Sequence, residues 1–380
     1  MFLAAGFRPF FLLAALWAAL AVPVWLAAYE HGYAVGGALP AVVWHAHEMI
    51  YGFGLAAVTG FLLTAIPNWT GRLPLRGARL ALLAALWLAG RIALLLSGTI
   101  GAGAAAVVDL AFAAVLAAVV AREVATARSF HNLPVVVILV VLFAGNLLVH
   151  LHALDVAYTA ALGNRIGVAT LLLLIALIGG RLVPSFTRNW LAKMRPDERA
   201  PVAHSMLDWA CLAIAAAGIV AWAAAPDTLA ASVLALAAGV ALAVRLARWR
   251  GFATMQEPLV FVLHAGYGWL ALGLLLAGLN GFFDWLPAGA ALHALTVGAI
   301  GTMTLAVMTR ASLGHSGRPL TAGAGTLAIY LLVSLAAVLR VLSPLSAQTL
   351  IVTALAGLAW AAAFALFALL YGPLLLGIKR

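Results

Sequence analysis

The chain has 380 residues, of which 66% are hydrophobic and only 8% charged, with mean hydropathy +1.14. A soluble domain carries about a quarter charged residues and keeps its exterior polar, so this composition excludes a water-soluble fold. The net charge is +10, yet its Lys and Arg sit in short gaps between apolar runs, which fits orientation in a bilayer and not a nucleic-acid partner.

Twelve apolar runs reach the ~20 residues that a membrane-spanning helix needs. They lie at roughly 9–29, 41–66, 78–97, 102–121, 133–153, 160–183, 205–224, 228–246, 257–279, 289–309, 322–342 and 347–376. Alternating apolar and polar residues are absent, which removes an outer-membrane barrel. The expected fold is therefore an all-α integral membrane protein. The first run is preceded by no positive n-region or small-residue cleavage site and reads as a retained span.

The second span opens Trp44-His45-Ala46-His47-Glu48-Met49-Ile50-Tyr51. An i,i+2 pair diverges by roughly 200° around a regular helix, so His45 and His47 do not chelate one ion together. They serve two centres, or one ligates while the other hydrogen-bonds. His47 and Tyr51 are i,i+4, and His45 and Glu48 are i,i+3, so each pair shares a face. A carboxyl and a phenol so placed are candidate proton donors to a redox site, which makes Glu48 and Tyr51 the catalytic candidates.

Arg91 in the third span and Asp109 in the fourth are ionisable groups where lipid penalises them. Two readings stand: an interhelical ion pair, or Arg91 as the partner of an anionic cofactor group such as a haem propionate. His131 marks a helix start at the fifth span, which ends Asn146-Leu147-Leu148-Val149-His150-Leu151-His152. Arg165 and Arg340 at helix ends read as snorkelling anchors.

The longest gap, around Arg181–Ser205, contains Pro196-Asp197-Glu198-Arg199 and looks like a solvated loop. It is the candidate linker between halves 1–190 and 205–380 of one polytopic domain. No internal repeat is clear enough to assert. His31 and His204 read as loop residues. Cys211 lies in an apolar run, so no intramolecular disulfide framework exists. His264 in the ninth span stands at a different depth from His293, which opens the tenth.

Assigning the gaps alternately to two sides segregates the charges. One side receives Arg8, Arg72, Arg76, Arg79, Arg122, Arg128, Arg181, Arg188, Lys193, Arg195, Arg199, Arg245, Arg248, Arg250, Arg310, Arg318, Lys379 and Arg380. By the positive-inside rule that side is cytoplasmic and holds both termini. His45, His47, His150, His152 and His293 then lie near the outer ends of three helices, where imidazoles at one depth can build one site. There is no Cys-x-x-Cys-His, so any haem is held without thioether bonds.

Several motifs resemble the NnrS family. They are Phe7-Arg8-Pro9-Phe10-Phe11, Trp44-His45-Ala46-His47-Glu48, Gly60-Phe61-Leu62-Leu63-Thr64-Ala65 with Pro67-Asn68-Trp69-Thr70-Gly71, and Gly90-Arg91. The likeness continues through Gly180-Arg181, Phe186-Thr187-Arg188-Asn189-Trp190 and His264-Ala265-Gly266-Tyr267. It closes with His293-Ala294-Leu295-Thr296-Val297-Gly298 and the run Met308 to Pro319 that contains His315. The resemblance implies a multi-pass protein of the bacterial cytoplasmic membrane that contains haem and copper and is tied to nitric oxide metabolism and nitrosative stress. Residue by residue it points to His45, His47, His264 and His293, with His150 as a further candidate.

Three functions compete. In the first, haem b with copper binds NO and reduces it, joining two NO, two electrons and two protons into nitrous oxide and water. Imidazole suits iron and copper alike. The electrons then come from a quinol or a small redox protein, since no ferredoxin-type cysteine set is present. The second is a transporter with Arg91 and histidines on a substrate path. The third is a protein that binds NO, haem or copper without turnover. Metal ligands are sought first among His45, His47, His150 and His293.

Overall fold

The computed structural model describes residues 1–203, 205–283 and 287–378. The sequence readings for His204, Lys379 and Arg380 lie outside the described residues. Twelve helices long and apolar enough to cross a membrane follow one another, and no strand occurs among the described residues. They are α1 (Phe7–His31), α2 (Ala41–Thr70), α3 (Ala78–Leu95), α4 (Ala102–Thr126), α5 (Phe130–Ala153) and α6 (Ala160–Met194). The second six are α7 (Met206–Ala224), α8 (Leu229–Ala247), α9 (Pro258–Asn280), α10 (Ala288–Gly314), α11 (Ala324–Leu345) and α12 (Thr349–Leu376). All twelve expected spans are present.

Local chemistry sets the helix ends. Gly32 and Gly71 take left-handed φ of 73° and 69° after α1 and α2, and their N–H groups cap Ala28 and Pro67 carbonyls. Only glycine adopts that conformation without a Cβ penalty. Ser205 and Asp208 form a reciprocal capping box at the start of α7. Pro258 opens α9, where a missing N–H costs nothing.

Three helices widen from α to π geometry: α2 at Glu48–Gly54, α6 at Ile175–Gly179 and α10 at Ala294–Gly301. Each is the second helix of a successive block of four. Pro9, Pro134 and Pro258 recur in the first turns of α1, α5 and α9. Apart from these prolines the three-block pattern is carried by backbone geometry and not by residue identity. Segments of π-helix are rare and concentrate at functional sites.

The chain forms two compact units. The first comprises Met1–Thr170 with Phe367–Arg380, and the second Leu171–Leu366. The first has an aromatic core in which Phe10 stacks on Phe112 at 5.9 Å, with Trp87 fully buried beside Arg91. The second is built around Trp249 and Tyr267, whose rings meet edge-on at 4.6 Å. Enclosure is uneven. In α2 72% of the apolar window is buried and in α10 67%, against 33% in α5 and α7. The helices that open with histidines are thus the ones most withdrawn from lipid.

Candidate metal centre

The first unit gathers five ionisable groups and one amide from four helices into one enclosed cluster. From α2 come His47 and Glu48, from α3 Arg91, from α4 Asp109, and from α5 Asn146 and His150. All six are 0–2% exposed. Close backbone approach makes this possible. A Cβ on Gly90 would press on Asp109, and one on Gly163 would press on the Gly145 carbonyl. Small residues at these crossings let α3 approach α4 and α5 approach the start of α6.

The bonding is continuous. Arg91 donates through Nη1 to both Glu48 oxygens, at 2.7 and 2.6 Å, and through Nη2 to Asp109 Oδ1. Trp17 Nε1 donates to Glu48 Oε2 at 2.6 Å. Asn146 Nδ2 donates to Asp109 Oδ2 at 2.8 Å, and His150 Nε2 meets the same oxygen at 2.9 Å. That amide orientation turns Asn146 Oδ1 toward His47 Nε2, 2.8 Å away. His47 Nδ1 lies 3.0 Å from Glu48 Oε1.

Both ring nitrogens of His47 therefore face acceptors. One guanidinium stands between two carboxylates, so with both imidazoles neutral the ionised cluster carries one unbalanced negative charge. An uncompensated charge in a low-dielectric interior costs several kcal/mol. A cation restores neutrality: a second proton on an imidazole, or a metal ion. His47, Asp109 and His150 can each turn one ligand atom to a common point, with those atoms within 4.8 Å of one another. Two imidazole nitrogens and one carboxylate oxygen suit copper or iron.

A haem is a poorer fit to this cluster. The His47 and His150 rings stand edge-on with centroids 5.4 Å apart, bridged by Asp109. A single added Cβ at Gly52 would already collide with Glu48, Trp17 and Arg91, and one at Gly145 or Gly167 with the Tyr51 hydroxyl. The packing around the cluster is too close for a macrocycle.

A family model for the NnrS protein matches residues 1–379. The chain belongs to the NnrS family. A comparison with curated proteins finds no match.

The other histidines of this NnrS chain fall into different settings. His45 stacks on Trp25 with centroids 4.2 Å apart, on a side of α2 away from the cluster that holds His47, as the i,i+2 divergence requires. Glu48 departs from its expected face. Its carboxylate bonds to His47, the next residue back, where Arg91 and Trp17 hold it. Tyr51 keeps its place beside His47, ring centroids 5.3 Å apart, and donates to Gly163 O at 2.6 Å. Arg91 forms the ion pair with Asp109, while its buried Nε has no hydrogen-bond partner.

In the second unit, His293 Nδ1 lies 2.5 Å from the Gly289 carbonyl one turn back. That bond fixes the Nδ1–H tautomer and leaves Nε2 with its lone pair, the usual presentation of a metal-ligating imidazole. Thr187 Oγ1 donates its one proton to Val183 O and so accepts from His264 Nε2 at 2.8 Å. His264 Nδ1 is left as a buried lone pair without a partner. His152 packs near Tyr158, and His131 sits with Ser129 and Asn132 at the start of α5.

His150 is among the metal candidates of the sequence, whereas Asn146 and Asp109 carry no ligand signal there. Asn146 and His150 are i,i+4 on α5, the spacing that would have paired them. Asp109 was read only as a partner for Arg91. Nothing in its own surroundings, Val108 and Leu110, announces a metal ligand.

Proposed function

We propose that this NnrS-family protein is a haem- and copper-containing protein of nitric oxide metabolism and nitrosative-stress defence. In this reading it lies in the bacterial cytoplasmic membrane with both termini cytoplasmic, and reduces NO to nitrous oxide. The observation that supports it is the enclosed His47–Asp109–His150 set, whose ligand atoms lie within 4.8 Å of one another and whose charge a bound cation would balance. Copper is assigned to that set. Haem b is assigned to imidazoles outside it, first to His293 with its Nε2 lone pair left by the Nδ1–Gly289 bond, then to His264 and His45.

Copper at this position would supply a redox-active Lewis acid. The chain's own residues do the rest. Arg91 holds Glu48 and Asp109 in place, and Asn146 fixes the His47 ring. Glu48, bonded to His47 and Trp17, is the nearest carboxyl that can store or release a proton. Tyr51 packs beside the His47 ring. The overall conversion takes two NO, two electrons and two protons to nitrous oxide and water, with a quinol or a small redox protein as the source of electrons.

The test is metal and haem analysis of the purified protein, followed by anaerobic NO addition with a quinol. Nitrous oxide formed above the rate of the protein-free control supports turnover. NO binding without product gas replaces turnover by scavenging. A fully metal-supplied preparation with neither a Soret band nor copper sinks both.

A further inference from the structure

We infer that the cavity at the foot of α2 and α4 binds an anionic phospholipid, taking its phosphate and the upper part of an acyl chain. The cavity has a volume of about 740 Å³ and lies wholly within the first unit. Pockets of this size hold drug-sized ligands. It is unrelated to the metal centre, whose residues do not line it.

Its two ends differ in chemistry. The inner wall includes Leu63, Ile66, Val119 and Val120. Leu63 lies two turns inside the end of α2, so this wall reaches about 10 Å into the apolar zone. The mouth carries Arg72, Arg76 and Arg79, and Glu123 is the only acidic residue among those lining the cavity. Arg72 is spent on that carboxylate, to which its Nε donates. Arg76 and Arg79, both exposed, are left as an excess of positive charge over an apolar shaft.

The loop that carries Arg72 and Arg76 is held in place. Gly71 and Gly77 bend it at φ of 69° and 64°, and the Gly77 N–H donates to Leu3 O at 2.9 Å. Leu73 is 80% exposed beside the arginines, an apolar side chain suited to the bilayer interface. Guanidinium groups bind phosphate with geometric specificity, and basic pockets between spans take anionic headgroups. Inorganic phosphate would leave the apolar wall unused. A zwitterionic lipid brings a cationic ammonium group that the arginines repel.

The experiment uses the full chain, delipidated in mild detergent and placed in phosphatidylcholine nanodiscs with increasing phosphatidylglycerol. Native mass spectrometry then counts the retained lipid. Wild type is expected to retain phosphatidylglycerol, and Arg76→Gln with Arg79→Gln to lose it about tenfold. Leu63→Trp fills the shaft with the arginines intact and is expected to lower retention as well, while Arg128→Gln, outside the cavity, keeps it. Equal retention in wild type and the double arginine variant overturns the proposal. So does displacement of the lipid by millimolar inorganic phosphate, which would mark a free-anion site.

Discussion

In α2 a proline cap at Pro40 precedes the pair His45-Ala46, and π geometry runs from Glu48. In α10 Pro287 precedes His293-Ala294, and π geometry runs from Ala294. The local plan is shared. The residues that follow are not, because Leu295 and Thr296 stand in α10 where His47 and Glu48 stand in α2. One helix thus supplies a second imidazole and a carboxyl to a charged network. The other presents a single imidazole held by its own backbone. The comparison teaches that the π-widened helix is a frame for ligands, while the two residues after His-Ala decide whether the site is ionic.

The largest effect should come from the charge that the α2 network requires. Arg91→Leu leaves Glu48 and Asp109 buried without their counter-ion and should cost about 3–5 kcal/mol of stability. The corresponding change in the second unit, Arg340→Leu, removes a part-exposed arginine bonded to Ser343 Oγ and should cost about 1 kcal/mol or less. Thermal unfolding of both variants in one detergent measures the difference. Equal losses would mean that the α2 cluster is not electrostatically special.

Ligand deletion sharpens the same contrast. His150→Ala and His47→Ala should each lower copper per protein, and Asn146→Ala, which fixes the His47 ring, should weaken copper about 10–100-fold. His293→Ala should spare copper and lose haem absorbance. His45→Ala should differ from His47→Ala, since their rings occupy different sides of α2. Metal analysis and a reduced spectrum of each variant decide this. If His45→Ala and His47→Ala lose the same cofactor to the same degree, the two-sided reading of α2 is wrong.

Smaller effects test the packing. Gly52→Ala would force a methyl against Glu48, Trp17 and Arg91, an overpacking that typically costs about 1–3 kcal/mol. Gly289→Ala in α10 meets nothing within 4 Å and should stabilise that helix by about 0.5–1 kcal/mol. The Tm shifts should therefore have opposite signs. A stabilising Gly52→Ala would show that the α2 cluster is looser than its close contacts indicate.

By itself the sequence determined the solvent and the scaffold. Long apolar runs such as 133–153 have to satisfy every backbone group internally in lipid, so each becomes a helix and their number and order follow. It also marked His45, His47, His150, Arg91 and Asp109, because ionisable groups in such runs are too expensive to be idle. The divergence of His45 from His47 followed from helical periodicity alone. Tertiary structure decided which of these groups meet. The Glu48–His47 bond depends on Arg91 and Trp17, which come from other helices and hold the carboxylate in place. The convergence of Asp109, Asn146 and His150 on one oxygen and one ring depends on how closely α3 approaches α4 and how closely α5 approaches the start of α6 at Gly90, Gly145 and Gly163. Contacts between residues far apart in the chain are fixed by packing, and helical periodicity within one segment does not contain them.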